Sequence, residues 1–113
     1  MVVIAMDKNK EVERIMAKID PLFKRLMHTR YWLQIANNPY DHCYDFFFNS
    51  QRRREPVRSV AIYTCKTDDL AFLEALVDKL TTKTKLSIVY VGFVDKRWLG
   101  KKTRIQRRPD HLE

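Results

Sequence analysis

Eleven of the chain's 22 lysines and arginines fall in two short stretches. The first, 51–58 (Gln-Arg-Arg-Arg-Glu-Pro-Val-Arg), carries Arg52, Arg53, Arg54 and Arg58 against one acid, Glu55. The second, 96–108, carries Lys96, Arg97, Lys101, Lys102, Arg104, Arg107 and Arg108 and no acid. The remainder holds 11 basic and 13 acidic residues, so the formal charge of +8 originates in these two stretches. A solvated surface mixes its signs, whereas a surface built for polyphosphate concentrates one. Eight of the eleven cations are arginine, whose planar guanidinium donates in a fork and stacks on bases, while an ammonium acts as a point charge. The chemistry fits nucleic acid, DNA or RNA. It would also serve a protein–protein adaptor or inhibitor steered onto an acidic partner surface. If six to eight of the cations meet phosphate, log K on B-DNA should fall with log salt at a slope of about −5 to −7.

A second constellation, Asp41, His42 and Asp45 with Tyr40 and Tyr44 beside them, suits acid–base work. Histidine can act as general base in RNA cleavage, with arginines stabilising the phosphorane charge. That would make a small metal-independent ribonuclease of the toxin type. The plainer reading is a surface histidine next to an aspartate, and no catalytic residue is assigned. His28 has no ionisable partner at a telling spacing, and His111 lies near the chain end. No C-x-x-C, Cys/His quartet or H-E-x-x-H spacing occurs, so no metal or cofactor is expected. Cys43 and Cys65 do not form a secreted disulfide framework, which points to a reduced, cytoplasmic setting. The apolar run Val2–Met6 is too short for a membrane span, and the basic stretches lack the apolar face of a membrane-surface helix.

The elements that must position these residues follow from periodicity. With 113 residues, 45% of them hydrophobic and 13 aromatic, the chain suits one domain with one core. Val12, Ile15, Met16 and Ile19 recur at helical spacing, and Asp20-Pro21 resembles a cap and first turn, predicting a second helix from Pro21 to about Ala36. A single helix kinked at Pro21 is the alternative. That second helix would bury Leu22, Phe23, Leu26, Met27 and Leu33. Tyr44 to Phe48 reads as a strand with Tyr44, Phe46 and Phe48 on one face, and Val57 to Cys65 as its hairpin partner. Thr67-Asp68-Asp69 starts a helix whose stripe is Leu70, Leu73, Leu76, Val77 and Leu80. Residues 86–94, apolar on both faces, complete a β-α-β unit.

The expected fold is therefore α+β in the order α-α-β-β-α-β. It has a three-stranded mixed sheet with 57–65 central, a domain over 1–95 and a basic arm over 96–113. The apolar 86–94 edge needs a cover, either the first helices or a second copy in a homodimer. In this arrangement the arginines occupy a hairpin tip that could enter a groove as a β-ribbon does, and the arm supplies further phosphate contacts. Trp98 in the arm is a candidate base-stacking residue or a core residue beside Leu99. Tyr44, Phe46 and Phe48 fit a core better than a stacking surface. Gly92 reads as a bulge or a close backbone approach.

Overall fold

The computed structural model describes residues 8–24, 28–67, 69–93, 96–100, 102 and 105. Helix α1 (Lys8–Leu22) buries Val12, Ile15 and Ile19 along one side. Pro21 lies inside its last turn instead of opening a second helix. A proline there forfeits one hydrogen bond but has little helix left to break. The Phe23 amide then donates to the Ile19 carbonyl at 2.9 Å and closes the helix.

The second helix over 21–36 does not form: Thr29–Asn38 is a strand, β1. Its Tyr31, Leu33 and Ile35 alternate with Trp32, Gln34 and Ala36, a period of two that two partner strands reward on both edges. Leu33 is fully buried, but from a strand. Leu26 and Met27, assigned to that helix, lie outside the described residues. Three further strands, β2 (Cys43–Arg52), β3 (Arg58–Cys65) and β4 (Ser87–Val91), and helix α2 (Leu70–Thr81) complete the α-β-β-β-α-β order.

The fold is α+β, with a mixed sheet of four strands ordered β3-β2-β1-β4. Three strands were expected, and 58–65 lies at an edge instead of the centre. The α2 crossover does link β3 to β4, but β4 pairs in parallel with β1, Leu33 beside Ile88 and Ile35 beside Tyr90. The dimensions allow it. A helix of 12 residues spans about 18 Å, and the first and fourth strands of a sheet lie about 14 Å apart.

One face of the sheet meets both helices. Leu33 and Ile35 sit opposite Phe48 and Phe46, and Tyr44 extends the row. All five join Val12, Ile15 and Ile19 of α1 and Leu73, Leu76, Val77 and Leu80 of α2 in a single core. Asp69 caps α2, its Oδ1 accepting from the Ala71 amide at 3.0 Å, as the sequence suggested. Gly92 has φ +83°, and its carbonyl accepts from Asn37 Nδ2 at 3.1 Å. A Cβ at that position would lie 3.1 Å from the Asn37 carbonyl oxygen, a close backbone approach.

Candidate nucleic-acid interface

The arginine tip rests on three strands instead of two. Arg52, the last residue of β2, pairs with Thr29 of β1, and the Arg53 amide donates to the His28 carbonyl at 2.8 Å. The turn is drawn tight by the Glu55 amide donating to the Arg52 carbonyl at 2.9 Å and by Gln51 Nε2 donating to the Glu55 carbonyl at 3.2 Å. Arg54 takes a left-handed φ of 65° to complete it. Arg52, Arg53, Arg54 and Arg58 are all exposed. Among the described residues none of them is ion-paired; the ion pair there joins Arg14 to Glu11 at 3.2 Å.

Because β1 starts beside the tip, it adds Arg30, exposed and opposite Gln51, and His28. A shallow recess of about 470 Å³ lies among His28, Thr29, Arg30, Gln51 and Arg52–Arg54. Sequence reasoning missed Arg30 because it lay in a presumed helix. The alternation Tyr31, Leu33, Ile35 was the signal that could have placed it.

The described part of the second basic stretch is elsewhere. It follows β4, which runs parallel to β1 and ends beside Ala36. That is seven residues along β1 from Thr29, or about 23 Å at 3.3 Å per residue. Lys96, Arg97 and Lys102 are exposed there, and Lys101, Arg104, Arg107 and Arg108 lie outside the described residues. The described part is packed on the domain. Trp98 is 9% exposed and meets Tyr90 edge-on at 5.5 Å. Ile105 is buried, and its amide donates to the Lys96 carbonyl at 3.0 Å. The Gly100 amide donates to the buried Glu74 Oε1 at 2.7 Å. Trp98 is thus a core residue, and its ring is not presented for base stacking. Phe93 and Trp98 both lie against Tyr90, so these two rings cover part of β4.

Asp41, His42 and Asp45 do come together, in a recess of about 420 Å³ shared with Asn38, Cys43, Thr64 and Lys66. Both carboxylates are engaged. Asn38 Nδ2 donates to Asp41 at 3.1 Å and to Asp45 at 3.4 Å, and Thr64 Oγ1 donates to Asp45 at 3.0 Å. Burial, then the Asp45 and Asp41 carboxylates, push the Cys43 thiol upward, so it is a poor nucleophile. His42 and Arg52 are at opposite ends of β2, about 30 Å apart along the strand. The tip arginines therefore cannot serve chemistry at His42. No cluster suited to a metal ion occurs among the described residues.

Inside the domain, Tyr63 donates its hydroxyl to the buried Glu11 carboxylate. Burial pushes the neighbouring Cys65 thiol up to about 11, and the Glu11 carboxylate adds to that rise. Burial likewise raises the Tyr63 and Tyr90 hydroxyls. These are structural groups. Among the described residues, no helix is long and apolar enough to cross a membrane. Comparison with family models, curated proteins and solved structures finds no match. Fold and site together define a two-layer α+β domain with an arginine cluster fixed at one end of its sheet.

Proposed function

We propose that this protein is a non-enzymatic nucleic-acid-binding module whose main phosphate contacts are Arg30, Arg52, Arg53, Arg54 and Arg58. The observation that carries the reading is five exposed guanidinium groups without ion pairs among the described residues, gathered at one sheet end by backbone hydrogen bonds. Charges left unpaired on a fixed turn have little structural purpose, and a fixed turn lowers the ordering cost of binding. Lys96, Arg97 and Lys102 make a second, separate contact region at the other end of the sheet.

The test compares wild type with an Arg52/Arg53/Arg54→Ala variant against a random duplex, a single-stranded DNA and a single-stranded RNA. Salt-sensitive binding that collapses in the variant supports the reading. Absence of binding to all three at low salt refutes it, and one-to-one capture of an acidic protein through the same arginines would replace it with the adaptor reading.

A further inference from the structure

We infer that the sheet face turned away from the helices is a stacking surface for single-stranded RNA, with Trp32 and Phe47 each receiving a base. This rests on the nucleic-acid reading above and names its substrate class. Strand alternation sends Leu33, Ile35, Phe46 and Phe48 to the core, so Trp32, Gln34, Phe47 and Asn49 point the other way. Trp32 and Phe47 are half-buried but take no part in the packing around the core. Neither ring has an aromatic partner among the described residues. In the register Trp32 faces Asn49 and Phe47 faces Gln34, so the two rings are diagonal neighbours about 7–8 Å apart at their backbones.

Between them runs a polar ladder. Asn49 Nδ2 donates to Gln34 Oε1 at 2.9 Å, and Ser59 Oγ donates to Asn49 Oδ1 at 2.6 Å. The Gln34 amide keeps its own N–H donors unspent among the described residues. An apolar cover, whether a helix or a second copy, would bury those donors at a cost. RNA offers them base edges and the 2′-hydroxyl, which both donates and accepts. By the same alternation Arg30 lies on this face at one end, where the Arg53–Arg54 turn adjoins it, while Arg52 and Arg58, paired with Thr29 and Ser50, alternate to the helix side; Asp45 lies at the other end. A phosphate chain is therefore drawn in at Arg30, crosses Trp32 and Phe47, and is turned away before Asp45. A duplex hides its bases from both rings, so the bound strand must be unpaired.

The chain has two tryptophans, and Trp98 is in the core, so a Trp98→Phe background leaves Trp32 as the fluorescent reporter. Titration with an oligo-U of about 12 nucleotides should quench it. Trp32→Ala and Phe47→Ala should each weaken oligo-U binding about 5- to 150-fold, the range for losing one base–aromatic stack, while duplex binding stays unchanged. Wild-type affinity in both ring variants, with loss only in Arg52/Arg53/Arg54→Ala, overturns the stacking surface and leaves the arginine reading standing. Wild-type binding of oligo-U by the arginine variant removes the arginine reading instead. Equal or tighter binding of oligo-dT overturns the assignment to RNA. Self-association by sedimentation that Trp32→Ala abolishes would show that a second copy covers this face.

Discussion

Neutralising phosphates with fixed cations sets a salt dependence that can be counted from the structure. Five arginines at the tip, each displacing counterions from one phosphate, give a log–log slope of about −3.5 on a single strand and −4.5 on B-DNA. Raising salt from about 50 mM to 200 mM should then weaken single-strand binding about 130-fold and duplex binding about 500-fold. Arg52/Arg53/Arg54→Ala leaves Arg30 and Arg58, so the single-strand slope falls to about −1.4 and the same change in salt costs about sevenfold. These figures are shallower than the −5 to −7 that pooled charge suggested, because the described cations of the second basic stretch, Lys96, Arg97 and Lys102, sit at the opposite end of the sheet. The assay is fluorescence anisotropy across a salt series, with the slope, not a single affinity, as the readout. The substituted side chains are exposed, so the fold should persist, and circular dichroism checks it. A variant that binds more weakly but keeps the wild-type slope would refute direct phosphate contact. A wild-type slope near −6 would show that both ends of the sheet engage one strand together.

Trp98→Ala should cost about 3–5 kcal/mol of stability, the usual range for emptying a buried aromatic site, with Trp98→Phe retaining most of it. Urea unfolding measures the loss, and a Trp98→Ala variant as stable as wild type would contradict its place in the core. Gly92→Ala should destabilise by about 1–2 kcal/mol, since its left-handed backbone and the nearby Asn37 carbonyl both resist a Cβ. A neutral result in urea would contradict that geometry. Alkaline pH should weaken the fold. An unfolded Cys65 ionises near pH 8.5–9, whereas the folded thiol holds its proton to about 11. Stability is therefore full below about pH 8.5 and declines as pH rises toward 11, by about 2–3 kcal/mol for this group. Tyr63 and Tyr90 push in the same direction. Cys65→Ala should show a flatter pH dependence in urea titrations, and an identical slope would count against the assignment.

What could be read from the chain and what could not divides along local and non-local lines. Helix α2 was legible because its cap at Asp69 and its leucine stripe sit within about a dozen residues of one another. The Tyr44, Phe46, Phe48 row was legible for the same reason, as was the arginine tip. Strand β1 was not. Asp20-Pro21 imitates a helix start, and Leu22, Phe23, Leu26, Met27 and Leu33 imitate a helical stripe. The decision for strand is made by β2 and β4, pairing across gaps no local window spans. Misreading β1 had a chemical consequence too, because Arg30, Trp32 and Gln34 acquire their neighbours only through its register. The place of β4 was hidden similarly. A β-α-β pattern announces a crossover but not how many strands it passes.

Register fixes what each face of the sheet presents. A slip of one residue between β1 and β2 would send Leu33 and Ile35 to solvent and bring Trp32 and Gln34 against the helices. Apolar burial opposes that slip on the helix side. On the other side the Gln34–Asn49–Ser59 ladder opposes it independently, because the amides meet only in the observed alignment. Asn49 is 3% exposed, so breaking its hydrogen bonds would strand polar groups away from water. The bulge at Ile62 performs the matching adjustment in β3, shifting register between Phe46 and Phe47. It keeps Tyr63 beside Phe46 in the core while Ser59 still reaches Asn49. The polar ladder thus has two consequences from one set of bonds. It locks the alignment that builds the core, and it holds the Trp32 and Phe47 rings at a fixed separation beside the arginine tip.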